Sequence, residues 1–300
     1  MKEEQEIETI HRNFFYRRSV ITVITALAIL ITIALIFFYD VILNQGLLAY
    51  KSIGPEFLIF VLGGFIAQMI DGSLGMAYGV SASTFLMSFG VPPAAASASI
   101  HTAEIFTSGV SGLSHLRFGN VNKKLFKSLL IPGILGAIAG AYILSSFEEY
   151  NYIIKPVVAC YTLALGVIII RKAIIRQQPK RKTKNIQALA GFGGFMDSIG
   201  GGGWGPIVAS TLIAKGRNPR YTIGSVNLAE FFISFSSSLT FFATIGISYV
   251  QIIAGLVIGG IIAAPIAASL TRKIPVKKMM MIVGIIIVIV SIRLIVVALI

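Results

Sequence analysis

The sequence predicts an all-α polytopic membrane protein with seven transmembrane helices, two re-entrant helical hairpins and two inverted-topology repeats. Three observations carry this. Apolar runs of about 20 residues, enough for a helix to span a bilayer, recur along the chain. Basic residues gather in blocks between those runs. Two glycine-rich interruptions, each followed by a helix bearing Ala-Glu, recur in the same order in both halves. Only 12% of the residues are charged, against about 25% in soluble domains, which excludes a soluble helical protein. In lipid the backbone must satisfy its own hydrogen bonds, and runs this continuous do so as helices rather than as a barrel.

Taken in order, residues 1–18 read as a cytoplasmic segment carrying Arg12, Arg17 and Arg18. The run at 20–43 lacks a small-x-small cleavage site, so residues 19–44 read as a retained extra helix. Further apolar segments lie near 56–89, 93–116, 125–146, 152–171, 186–214, 220–245, 248–270 and 279–300. Basic blocks separate them: Arg117 to Lys127, Arg171 to Lys184, Lys215 to Arg220, and Arg272 to Lys278. With every block in the cytoplasm, the N-terminus is cytoplasmic and the C-terminus extracytoplasmic. Segment 56–89 then begins and ends outside, and segment 186–214 begins and ends inside. Both are too long for one span and short for two, so both read as re-entrant hairpins. The division is repeat 1 over 55–171, a basic linker over 172–185 and repeat 2 over 186–300. The formal charge of +13 sits in those blocks and needs no nucleic-acid partner. Cys160 is the sole cysteine, no Cys/His cluster has metal-site spacing, and neither metal nor cofactor is expected.

The first hairpin contains GGFIAQMIDGSLGM (Gly63–Met76), the second GGFMDSIGGGGWGP (Gly193–Pro206). Aligned without gaps, Gly72 meets Gly202 and Gly75 meets Gly205. Beyond them, ASIHTAEIF (Ala98–Phe106) aligns with GSVNLAEFF (Gly224–Phe232). Non-helical backbone inside a membrane survives only where protein or a watery cavity covers it. A helix beginning at such a tip exposes unpaired N–H groups and about half a positive charge. Two tips meeting from opposite faces therefore form an anion site without lysine or arginine. The candidate binding residues are Gly72, Ser73, Gly75, Gly202, Gly203, Trp204 and Gly205, with Ser73, Asn227 and His101 as side-chain donors. GGGGWG matches the dinucleotide fingerprint literally, but no strand precedes it. The pairs Gly136/Gly140 and Gly255/Gly259 read as helix-packing sites.

Glu104 and Glu230 each lie 11 residues beyond a proline that opens a segment, Pro93 and Pro219. At ~1.5 Å per residue that is roughly 16 Å, near the middle of a ~30 Å core. Ser97, His101, Glu104, Ser108, Ser111 and His115 share one helix face by their spacing, and Asn227, Glu230, Ser234 and Ser237 repeat the pattern. Acids at this depth face the bundle or a cavity. Either they take up protons alongside the anion, or they stay charged and brace the tip amides. Asp71 and Asp197 flank the tips and read as caps.

These hairpins, with SIHTAEIF and SVNLAEFF, resemble the sulfite exporter TauE/SafE family of membrane anion transporters over roughly residues 56–300. The resemblance implies a secondary transporter, a probable exporter, that moves small sulfur-containing anions such as sulfite or sulfonates across a bacterial plasma membrane. The partners it implies are that anion and the lipid bilayer, with homodimerisation left open. An enzyme is not expected: no paired-Asp motif, nucleophile–base pair or H-E-x-x-H is present. A passive anion channel stays open as the alternative, and a membrane-embedded enzyme using the Glu/His stripe is the weaker one.

Overall fold

The computed structural model describes residues 25, 54–74, 76–174, 185–247, 249–270 and 276–300, and every regular element among them is helical. The expected first helix, apart from Thr25, and most of the basic linker lie outside the described residues. In chain order the helices are α1 Glu56–Leu74, α2 Tyr78–Ser88, α3 Pro93–Arg117, α4 Lys123–Ser146 and α5 Asn151–Ile174. Then come α6 Ile186–Gly200, a π-helical turn Gly205–Ala209, α7 Ser210–Ala214, α8 Pro219–Ile245, α9 Val250–Leu270 and α10 Val276–Leu299.

Local chemistry explains the boundaries. Pro93 and Pro219 occupy the first helical turn of α3 and α8, where a missing N–H costs nothing. Asn122 caps α4 by accepting from the Leu125 N–H at 3.0 Å, and Asn218 caps α8 by accepting from the Arg220 N–H at 3.0 Å. α6 ends because Gly201 turns left-handed, with φ 64°, a conformation glycine adopts at no steric cost.

Among the described residues, four stretches are long and apolar enough to cross a membrane: Lys123–Ser146, Glu148–Ile174, Pro219–Ile245 and Lys277–Ala298. α3 has 25 residues, ample length at ~1.5 Å each, but its row of serines and its His101, Glu104 and His115 lower its hydropathy. These polar residues mostly turn inward, so the helix is less greasy without being less membrane-like.

The packing follows a cross-over pattern. α1 packs on α9, and α6 packs on α4. α3 packs on α8, and α5 on α10. Gly64 meets Leu256 and Gly72 meets Ala267, so α1 and α9 run parallel. Gly133 meets Gly194 and Gly140 meets Phe195, so α4 and α6 also run parallel. By contrast Gly112 meets Leu228 while Gly224 meets His115, and Thr162 meets Ser291 while Gly166 meets Ile287. The pairs α3/α8 and α5/α10 are therefore antiparallel.

Glycines set the close parallel pairs. A Cβ at Gly136 would overlap the Gly191 carbonyl, and one at Gly259 would overlap the Val61 carbonyl. Backbone cannot swing aside as a side chain can. Gly259→Leu is therefore expected to separate α1 from α9 and cost about 3 kcal/mol or more. Thermal unfolding of the purified protein checks this, and a midpoint equal to wild type would show that the pair tolerates the added volume.

Candidate functional site

The first interruption does not fall where the ungapped alignment puts it. α1 continues through Gly72 and Ser73 to Leu74, and α2 begins at Tyr78. Gly72 is thus a helical residue packed on Ala267, not a tip. Gly75 and the Ser73 side chain lie outside the described residues. The entry into α2 is made by Ala77, which is left-handed at φ 86°, a strained conformation for a residue with a Cβ.

The hydrogen bonds give a different correspondence. The Tyr78 N–H donates to Asp71 Oδ1 at 3.3 Å, and the Trp204 N–H donates to Asp197 Oδ1 at 2.7 Å. Each aspartate caps a helix that starts seven residues later. Asp71 therefore matches Asp197, and Tyr78 matches Trp204, at the spacing of 126 that also separates Glu104 from Glu230. The motif is D-x-x-x-G-x-x-[YW]-G in both hairpins. The ungapped match of GGF to GGF overrode it because two adjacent glycines outweighed one aspartate. The capping expected of the two aspartates is present, and with it the second half-helices carry an internal carboxylate at the positive end.

The two tips touch. A Cβ on Gly79 would lie 2.6 Å from both the Gly201 carbonyl oxygen and Gly202 Cα, and one on Gly202 would overlap the Val80 amide nitrogen. Gly203 packs beside the Tyr161 hydroxyl, which donates to the Gly202 carbonyl at 2.9 Å. Gly205 lies against Met76. Trp204 is fully buried, and its Nε1–H donates to the Val226 carbonyl at 3.1 Å.

A cavity of about 240 Å³ lies where α3 and α8 cross beside the first hairpin. Glu104, Thr107, Ser108, Ser111 and His115 of α3 form one wall, and Ile223, Asn227 and Glu230 of α8 another. Gln68, Asp71, Gly72 and Tyr78 complete it. Asn227 Nδ2 donates to Ser111 Oγ at 2.8 Å, tying the two walls. Among the described residues, three carboxylates line this cavity and no lysine or arginine does.

The polar stripe of α3 is thus divided. Glu104 to His115 line the cavity, whereas Ser97 and His101 are packed shut against α6. Ser97 Oγ donates to the Ser198 carbonyl. His101 Nε2 lies 3.3 Å from the Asp197 carbonyl oxygen, and its Nδ1 lies 3.1 Å from Glu104 Oε2. α8 divides likewise: Asn227 and Glu230 face the cavity, while Ser234 reaches Glu104 Oε2 at 3.3 Å and Ser237 pairs with Ser198. Of the expected binding residues, Gly72 and Asn227 line the cavity with both glutamates. His101, Gly202, Gly203, Trp204 and Gly205 do not. Glu104 bonds to His101 and Ser234, while the tip amides of Tyr78 and Trp204 bond to the aspartates.

His101, Glu104 and Asp197 bring three ligand-type atoms within 4.8 Å of one another. The Nδ1–Oε2 contact and the Trp204 cap already engage all three of those groups in protein hydrogen bonds. Asp197 Oδ2 is buried without a hydrogen-bond partner, as are the Tyr78 hydroxyl and Gln68 Oε1.

Residues 59–294 match the family model described as Sulfite exporter TauE/SafE. Over 249 residues the chain is 39% identical to the "Probable membrane transporter protein YtnM" of Bacillus subtilis (strain 168), covering 79% of this chain and 82% of that protein. No solved structure matches the chain. With a family model spanning most of its length and a relative of this similarity, the chain belongs to the TauE/SafE sulfite exporter family of membrane transporters, not to a family of enzymes.

Proposed function

We propose that this protein is a secondary carrier, working as an exporter, for small sulfur-containing oxyanions such as sulfite or a sulfonate in a bacterial plasma membrane. The observation that carries this reading is the cavity at the α3/α8 crossing, walled by polar groups from both halves of the chain. At ~30 Å³ per water, 240 Å³ is about eight waters, room for a small ion with part of its hydration shell. Asn227, Ser111, Gln68 and the Tyr78 hydroxyl are among the donors available there.

The antiparallel α3/α8 and α5/α10 pairs, the exchanged α1/α9 and α6/α4 packing, and the matched aspartate caps support two inverted repeats with re-entrant hairpins. The basic residues around Arg117 to Lys127 and Lys215 to Arg220 lie at the His115 end of the cavity. By the positive-inside rule that end is cytoplasmic. The packed end, at Ser97 and His101, then faces outside. One half of a pseudo-symmetric site holds a cavity while the other is closed, which favours a carrier over a continuously open channel.

The test is flux into proteoliposomes, using radiolabelled sulfite, thiosulfate, taurine and small carboxylates. Wild-type vesicles are expected to exchange at least one sulfur oxyanion well above empty ones. Asn227→Ala is expected to lower that exchange about tenfold, the loss of roughly 1.4 kcal/mol that one polar contact supplies. Flux equal to that of empty vesicles across the panel would end the carrier reading.

A further inference from the structure

The His101–Glu104 contact cannot form between a neutral imidazole protonated at Nε2 and an ionised carboxylate. Nε2 faces the Asp197 carbonyl oxygen, which only accepts, so Nε2 carries a hydrogen. Nδ1 then faces Glu104 Oε2 at 3.1 Å. If Nδ1 were bare and the carboxylate ionised, two lone pairs would oppose each other in a fully buried place. One proton must lie between them, held on either the imidazole or the carboxyl group.

We propose that His101, Glu104 and Asp197 form a buried proton site of the carrier, loaded in the conformation described here and reached through the cavity. Three independent features converge on it. The tautomer argument requires a proton on the pair. Asp197 Oδ2 lies 3.9 Å from His101 Nδ1, 2% exposed as a residue and without a hydrogen-bond partner. Its negative charge favours keeping that proton. Glu104 also belongs to the cavity wall, so the site touches both the closed tip and the water-accessible side.

Discharge needs no co-reactant. The proton leaves the pair for cavity water, and neutral imidazole, carboxylate and hydronium remain. That outcome places two carboxylates in the protein interior without compensation, which is costly. Release is therefore tied to a rearrangement that opens the packed side or brings in another charge. The groups facing the site are Asp71 from α1, Tyr78 from α2, Tyr161 from α5 and Glu230 from α8. None of these described groups is a cation, so His101 is the one group among them able to carry a positive charge. Its role as the site of a co-transported ion rests on the carrier reading, whereas the existence of the site does not.

The chain contains one tryptophan, and Trp204 is bonded through its backbone N–H to Asp197 Oδ1. Its fluorescence is therefore a local reporter that needs no substrate. Purified full-length protein in nanodiscs is titrated between about pH 4 and 9, a range that brackets carboxyl and imidazole chemistry. The expected result is a fluorescence step that is lost or moved by about one pH unit or more in both Glu104→Gln and His101→Gln. The step is expected to stay in place in His115→Gln. A flat wild-type response overturns the proposal. So does a step that persists unmoved in both cluster variants, or one that vanishes on adding EDTA, which would assign a bound metal ion instead. Because no anion is present, failure here leaves the flux result standing, and failure of flux leaves this result standing.

Discussion

Gly202→Ala will abolish transport and lower the thermal midpoint of the purified protein. The Cβ it adds would overlap the Val80 amide nitrogen, while Gly79 Cα and carbonyl carbon crowd the same side. All three are backbone atoms at the start of α2, so no rotamer change relieves the overlap. The tips must separate, or α2 must shift along α3. Overpacking ordinarily costs 1–3 kcal/mol, and a rigid neighbour puts this case at about 3 kcal/mol or above. Transport is expected to suffer more than stability, because the meeting of the tips closes one side of the site. A variant with full flux and an unchanged midpoint would show that the tips are not in contact in the membrane. At Gly90 and Gly119 a Cβ meets nothing within 4 Å, so the cost of alanine there comes only from their left-handed φ of 88° and 66°.

Asp197→Ala is expected to be the most damaging removal of a polar group. It leaves the buried Trp204 N–H without its acceptor, and such an orphan costs about 1–3 kcal/mol. It also removes the second carboxylate beside His101 Nδ1, 3.9 Å away. Asp197→Asn keeps an oxygen able to accept from Trp204, so it should recover most of the stability lost in the alanine variant. The equivalent change at Asp71 should be milder. Its bond to Tyr78 is longer, 3.3 Å against 2.7 Å, and Asp71 borders the cavity, where water can replace it. Unfolding midpoints of the three variants settle the order. If alanine and asparagine at 197 were equally destabilising, the cap would not be the reason for the aspartate.

Much of the architecture was legible because it depends on local chemistry. Pro93 and Pro219 marked helix starts, and their distance to Glu104 and Glu230 placed both acids at matching depth. Gly136, Gly140, Gly255 and Gly259 read as packing glycines and serve as such. The first tip was misplaced by a few residues because glycine runs look alike, whereas a cap is recognised by the carboxylate that reaches forward seven positions. Asp197 could not be placed beside His101, nor Tyr161 beside the Gly202 carbonyl, from spacing alone, since they come from α6 and α5. The one available signal was the recurrence of D-x-x-x-G-x-x-[YW]-G at the spacing of Ala103-Glu104 and Ala229-Glu230.

By itself the sequence determined that the chain is a helical membrane protein, where most helices begin, and that paired acids lie deep within it. Hydropathy, proline and charge act over a few residues and are written directly in the chain. Only the tertiary structure decided which part of the polar stripe lines a cavity and which part is packed shut. It also decided that aspartates rather than glutamates bond the tip amides, and it brought His101 against Glu104. Those outcomes depend on backbone from α6 meeting α3, a contact made by the whole packed bundle and encoded in no single segment.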